Sequence, residues 1–283
     1  WVDRRYPEGG GGLTMYESYY GFKERPFSKT PDPRFLFMSK GHREALVRLL
    51  YAVEERDLIL FTGEIGCGKT TLSRRLMDEL NDAGYRIILF VNPRLTPMEF
   101  LRALALRLDV DVPAAGKTDL LEQIGAALYS FYERDLCPVL VVDEAQLVPH
   151  RETFDEIRLL TNFQLDDQNL LSVVLMGQPE LRKRLAHRVY EPLRQRIGMQ
   201  FNLRPLDLEE TAGYLDFRLT TAGGEAGLFE PGAVARIYEY SGGIPRKINH
   251  AASLALLEGF GREASNIDAG ILDAVMEELV LVS

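Results

Sequence analysis

The stretch Gly63-Glu64-Ile65-Gly66-Cys67-Gly68-Lys69-Thr70 fits the pattern G-x-x-x-x-G-K-[ST], and no other segment restricts the fold so tightly. An apolar run over 57–62 leads into it, and 70–83 reads as a helix leading out. In such a loop the backbone N–H groups can turn inward onto phosphate oxygens, while the helix N-terminus adds positive potential. Lys69 is expected to neutralise charge on the β and γ phosphates and Thr70 to ligate Mg²⁺, with Thr71 counted among the phosphate-binding residues. A glycine-rich turn that binds nothing is the competing reading, and the coincidence of strand, loop and helix disfavours it. A chain built around this loop has to be α/β.

The remaining pattern agrees. Apolar strand-like runs at 86–91, 139–142, 171–176 and 199–203 alternate with helical periods at 41–55, 96–108, 118–133, 152–165 and 179–190. Thr96-Pro97-Met98-Glu99 reads as a capping box at the start of one of them. This rhythm predicts a mostly parallel sheet covered on both faces over 41–205. From 206 to 283 only helical periods remain, at 207–219, 231–240, 244–257 and 268–280, punctuated by Gly223-Gly224 and Gly242-Gly243. A small all-helical lid domain is expected there. Residues 15–40 carry Tyr19, Tyr20, Phe22, Phe27, Phe35 and Phe37 among three prolines, which suits an extended segment packed by its rings on the nucleotide-binding domain. The glycine-rich residues 1–14 are expected to be disordered sequence upstream of a natural start at Met15.

A phosphate loop needs a second acidic element. The apolar run 139–142 ends in Asp143-Glu144, which delivers one carboxylate to the metal (Asp143) and one to polarise water (Glu144). Carboxylates that follow a strand only to stay solvated are the alternative. Asn92, ending the second strand, either holds Glu144 inactive or forms the turn before Pro93.

Composition excludes several classes. Among 283 residues there are two Cys, too few for a disulfide scaffold or a four-ligand zinc site, which points to a reducing compartment. No run approaches the roughly eighteen consecutive apolar residues a membrane helix needs, and the N-terminus lacks a signal-peptide core, so a cytoplasmic protein is expected. His42, His150, His187 and His250 lack metal-ligand spacing and read as incidental. A net charge of -9 opposes nucleic acid unless a local basic patch works against it.

The wording of the chain resembles the ExeA/GspA-type AAA+ ATPases of the general secretion pathway and pilus biogenesis, related to transposon target-selection ATPases. The resemblance rests on Tyr20-Gly21-Phe22, Arg25-Pro26-Phe27, the run from Thr30 to Leu36, Asp143-Glu144-Ala145-Gln146, 159–163, Gly177-Gln178-Pro179-Glu180-Leu181, Gln195-Arg196-Ile197 and Gly243-Ile244-Pro245-Arg246. It implies a P-loop NTPase fold, ATP and Mg²⁺ as ligands, and ATP hydrolysis. It further implies Gln178 as the sensor-1 residue and Arg246 as the sensor-2 arginine of the lid. Arg196, with Arg194 as runner-up, would be a finger acting on a neighbouring subunit, which makes the protein an oligomeric ring. Surface arginines in salt bridges remain the alternative for these residues. By the same resemblance Pro26 and Phe27 would lie near adenine, although core packing fits either residue as well. Cys67 stands where many relatives have Thr or Ser; because the loop acts through backbone N–H groups little loss is expected, although a thiol at a phosphate site can be redox-sensitive.

Two biological readings follow. One is an assembly factor or motor for a secretion or pilus apparatus, reaching the inner membrane through a partner, since longer relatives continue into a membrane helix and a peptidoglycan-binding domain. The other is an ATP-dependent DNA-binding regulator. For the second, Arg182-Lys183-Arg184 with His187 and Arg188 is the densest basic run, against the plainer reading of a solvated helix face.

Overall fold

The computed structural model describes residues 15–28, 32–81, 84–110, 116–166 and 168–280. The expectation for 1–14 and the Thr30-Pro31 part of the resemblance fall outside them. The chain forms two compact units, one of Met38–Pro205 and one joining the residues up to Phe37 to those from Leu206 onward.

Helix α1 (Met15–Tyr19) belongs to the second unit, and α2 (Lys40–Glu54) opens the first. Ser39 caps α2 by accepting the His42 N–H on its hydroxyl. Then follow β1 (Leu58–Gly63), α3 (Lys69–Leu80), β2 (Tyr85–Phe90), α4 (Pro97–Arg107), α5 (Lys117–Glu133), β3 (Cys137–Val142), α6 (Arg151–Leu160), β4 (Ser172–Gly177), α7 (Pro179–Leu185), α8 (Glu191–Arg194) and β5 (Ile197–Leu203). The capping box at α4 forms as the spacing predicts: Thr96 Oγ1 accepts the Glu99 N–H, and Glu99 returns a carboxylate oxygen to the Thr96 N–H.

All five strands are parallel, in the order β2-β3-β4-β1-β5. The three central strands are buried along their whole length, as apolar strands in a parallel sheet covered on both faces must be. The order has a direct consequence. With Phe61 paired to Met176 and Val142 to Leu175, the carboxyl ends of β1, β4 and β3 lie side by side. The phosphate-type loop, Gln178 and Asp143-Glu144 therefore leave neighbouring strands at the edge where open α/β sheets bind ligands.

The helix expected over 179–190 stops at Leu185. Beyond it the chain makes a 3₁₀ turn (Arg188–Tyr190) and α8, and the Arg194 guanidinium returns to the carbonyls of Leu185 and Ala186 that the helix end leaves open.

The second unit contains α9 (Leu208–Thr221), α10 (Pro231–Ser241), α11 (Pro245–Gly261) and α12 (Ala269–Val280). Gly243, at φ 74°, fits under the Leu206 carbonyl where a Cβ would lie 1.8 Å from the oxygen, so this corner admits glycine alone. The aromatic segment differs from expectation. Phe22, Phe27 and Phe35 are buried in the same core as Leu215, Ile237 and Ile248, in the helical unit and not on the α/β unit. Phe27 meets Phe229 edge to face at 6.0 Å. Arg218 of α9 fastens the segment, donating Nε–H to the Pro26 carbonyl and lying 4.5 Å over the Phe35 ring. No helix among the described residues is long and apolar enough to cross a membrane.

Candidate nucleotide-binding site

The loop from Gly63 to Thr70 turns through left-handed backbone at Gly66 (φ 85°) and Gly68 (φ 95°), conformations that only glycine adopts without strain. Glu64 and Ile65 are exposed at its tip, and Cys67 is buried beneath it. Lys69 opens α3 with its side chain buried, donating from Nζ to the Gly63 carbonyl at 2.7 Å and the Glu64 carbonyl at 2.9 Å. Thr70 donates its hydroxyl to Asp143 Oδ2 at 3.4 Å, and Asp143 Oδ1 accepts the Glu144 N–H at 2.8 Å. Thr71 is half-buried in the same helical turn.

Burial sets the electrostatics. It pushes the Lys69 ammonium below its usual range, against the pull of Glu144, Cys67, Asp143 and Glu64, and pushes the Asp143 carboxyl above its own. Each group would gain from a charge of opposite sign: Lys69 from an anion, Asp143 from a cation. Thr70 and Asp143 offer hard oxygen donors of the kind Mg²⁺ prefers. Among the described residues no cluster of three or more His, Cys, Asp or Glu could hold a metal alone, so phosphate and water oxygens would have to complete the shell.

Glu144 stands at the end of β3 with two amides on one oxygen. Gln178 Nε2 reaches Glu144 Oε2 at 3.1 Å, and the Gln146 side-chain amide donates to the same atom. Asn92 does not take part: it is exposed at φ 57°, its carbonyl accepts the Arg94 N–H, and none of its described hydrogen bonds reaches Glu144. Of its two readings the turn residue fits, because a short Asn tolerates the left-handed region that ends β2 here.

The arginines separate. Arg196 is exposed and donates to Asn162 Oδ1 at 2.8 Å, whereas Arg194 is engaged inside the unit with the end of α7. In the basic run, Arg184 donates to the Tyr190 hydroxyl and to the carbonyls of Gln146 and Val148, leaving Arg182, Lys183 and Arg188 exposed. Arg246, Pro26 and Phe27 belong to the other unit. Arg246 is exposed in the first turn of α11, and Pro26 and Phe27 are buried, so the ring expected near adenine is a core residue of the helical unit.

Two further residues support the site without having been legible, His42 at the loop and Gln146 at Glu144. His42 is buried, with Nε2 3.0 Å from the Cys67 carbonyl and Nδ1 2.8 Å from Ser39 Oγ. A neutral ring that donates from Nε2 and accepts at Nδ1 satisfies both contacts. It braces the loop from α2, which replaces its reading as incidental. Gln146 is the other. No spacing rule links His42 to a carbonyl 25 positions on, and nothing in the wording of Gln146 reveals its partners. Of the two readings of Cys67 the inert one fits: the residue is buried, and burial pushes its thiol up to about 11, leaving it protonated and shielded.

A family model for an AAA domain matches residues 53–185. General secretion pathway protein A of Aeromonas hydrophila is 38% identical over 269 residues, 94% of this chain and 48% of that protein. The chain thus spans about half the length of that relative. Among solved structures, Aeropyrum pernix ORC2 in ADPNP and ADP complexes is similar at a TM-score of 0.63 and 18% identity, covering 91% of this chain and 72% of that one. Drosophila ORC bound to DNA gives 0.64 at 15% identity (99% and 70%), and the Thermotoga maritima RuvB Holliday junction branch migration motor 0.57 at 20% (85% and 69%). At these identities the structural likeness is one of fold.

Proposed function

Because the chain is a GspA-type member of the AAA family of P-loop NTPases, we propose that its α/β unit binds Mg-ATP and hydrolyses it to ADP and phosphate, working as an oligomer. The observation that carries this reading is the grouping at the strand ends: Lys69, the Thr70–Asp143 pair, and Glu144 tethered to Gln178. When bound, Mg²⁺ supplies charge neutralisation for the phosphates, with Thr70 and Asp143 as its protein ligands. Lys69 exchanges its loop carbonyls for phosphate oxygens, and the loop N–H groups bind the remainder. Glu144 accepts a proton from water as the water oxygen bonds the terminal phosphorus and the bond to the bridging oxygen of ADP breaks. Gln178 orients that water or the terminal phosphate. The exposed Arg196 acts on a neighbouring subunit's nucleotide, since its guanidinium stays charged and forks onto phosphate oxygens, and Arg246 couples the helical unit to the nucleotide.

The work done by this cycle is assembly at a secretion or pilus apparatus, reached through a protein partner from the cytoplasmic side. The named secretion relative supports that role. Glu144→Gln tests the chemistry: ATP affinity is retained and turnover falls by about 10²–10⁴-fold, the range for loss of a general base. Unchanged turnover removes Glu144 from its role. Mixing Arg196→Ala with Glu144→Gln subunits should restore part of the activity, and no restoration argues against a finger in trans.

A second reading, an ATP-dependent DNA-binding regulator, is favoured by the exposed Arg182, Lys183 and Arg188. Its signature is ATP-dependent DNA binding that weakens steeply with salt and is reduced by Arg182→Ala with Lys183→Ala. Absence of binding at low salt rejects it.

A further inference from the structure

Glu144 lies at φ 52° and ψ 40°, a left-handed conformation that a glutamate keeps only where its surroundings hold it. A closed ring of three residues does so. Gln146, in the 3₁₀ turn Ala145–Leu147, donates its side-chain amide to Glu144 Oε2. Its own Oε1 accepts the Gln178 backbone N–H at 3.1 Å. Gln178 closes the ring by donating its side-chain amide to the same Glu144 oxygen at 3.1 Å.

Two neighbours are shaped around this ring. A Cβ on Gly177 would lie 2.6 Å from Gln146 Oε1, so the missing side chain makes room for that oxygen. From the other side Arg184 donates to the Gln146 and Val148 carbonyls, fixing the backbone of the turn.

We propose that Gln146 is the positioning residue for Glu144, holding the carboxylate in place when the Gln178 side chain changes partner. This rests on the ATPase reading above and adds to it a component outside the loop and the Asp143-Glu144 pair. If Gln178 turns its amide to a terminal phosphate, Glu144 Oε2 loses one of its two donors. Gln146 stays, because its anchor is the Gln178 backbone and not the side chain. With Oε2 held, Oε1 remains to take the proton of water; no hydrogen bond among the described residues reaches it. Gln146 thereby ties the ends of β3 and β4 into one unit, so that a shift at Gln178 is felt at the base.

The test compares Gln146→Leu, which keeps the size and loses both amide bonds, with Gly177→Ala, whose added Cβ leaves Gln146 intact but presses on its Oε1 and on the buried Leu181 side chain. Both should lower kcat by about 10²-fold, the cost of misplacing a catalytic group by roughly 1 Å, with KM for ATP and ADP affinity within about twofold. Because both variants break one ring, the double variant should fall no further than either single one. A readout without nucleotide accompanies this: backbone hydrogen exchange at Gln178 should speed up in both variants as its acceptor is lost, with the melting temperature unchanged in Gln146→Leu and lowered in Gly177→Ala, where the Cβ also meets Leu181. Unaltered kcat in Gln146→Leu, fully multiplicative effects, or unaltered exchange at Gln178 each overturn the proposal while wild-type turnover leaves the ATPase reading standing. No turnover by the wild-type protein overturns both.

Discussion

In the α/β unit two buried charged groups share one edge: Lys69 is 6% exposed and Asp143 3% exposed, both at the strand ends where Gly63, Val142 and Gly177 lie side by side, while the buried Glu156 of α6 is paired with Lys117 away from them. In the helical unit the buried charges are elsewhere in purpose. Arg218, 7% exposed, faces Phe27, Phe35 and Tyr214 and binds the Pro26 carbonyl, and Glu17 pairs with Arg25 at 3.1 Å within the N-terminal segment. Burial opposes the charge of Lys69 and Asp143, a cost that their neighbours offset in part and that an added ligand of opposite charge would relieve further. For Arg218 burial also lowers the pKa, but its partners are carbonyl, hydroxyl and ring faces already in the chain. The strand-end pair holds charge ready for something that arrives; Arg218, like Glu156 with Lys117, uses charge to close its own fold.

Phe27 gives the largest test of that contrast. As a core ring edge to face with Phe229, it should cost the helical unit about 3–5 kcal/mol when changed to Ala. Phe27→Leu, which fills most of the space, should cost less than about 1.5 kcal/mol and leave ATP affinity unaltered. Hydrogen exchange read separately in α4 and α11 measures both units at once. If Phe27→Leu weakens ATP binding without destabilising α11, the ring belongs to a base site and the contrast breaks.

Arg218→Met sharpens the same comparison at a smaller size. It keeps the apolar stem, removes the cation from three rings, and leaves the Pro26 carbonyl without its donor, for an expected loss of about 2 kcal/mol confined to the helical unit. A loss shared equally by β1 and β3 amides would show that the two units do not divide their buried charge in this way.

How much of this was legible follows from how local each signal is. The loop from Gly63 to Thr70, the Asp143-Glu144 strand end and the Thr96/Glu99 capping box are contiguous patterns whose chemistry depends on neighbours a few residues apart. Strand and helix periods served equally well, since central parallel strands are apolar at every position. The aromatic segment was placed on the wrong unit because its partner, Arg218, lies 192 positions from Pro26, and ring composition alone does not say which apolar face accepts it. Gln146 and His42 were missed for a related reason: their roles come from atoms that strand order and a helix cap bring together. Asn92 shows the converse, a polar residue at a suggestive strand end that is exposed in a left-handed turn and makes no described hydrogen bond to Glu144.

Cys67 supplies the smallest and most discriminating test. The thiol is buried under the loop, and desolvation raises it from 9.0 to about 11, with Lys69 opposing and Glu64 adding. An acid whose folded pKa lies above its unfolded value holds its proton more tightly in the native state. Its favourable contribution is therefore complete below pH 9 and is lost as pH climbs through about 11. Cys67→Ala should cost about 1 kcal/mol at neutral pH through the lost sulfur contacts, and that difference should shrink between pH 9 and 11. Native protein should resist alkylation at Cys67 at pH 8, where an unfolded control reacts. Rapid labelling of the folded chain at that pH would mean that the loop opens or carries a thiolate, and the protonated, packed Cys67 described here would have to give way to a reactive one beside Lys69.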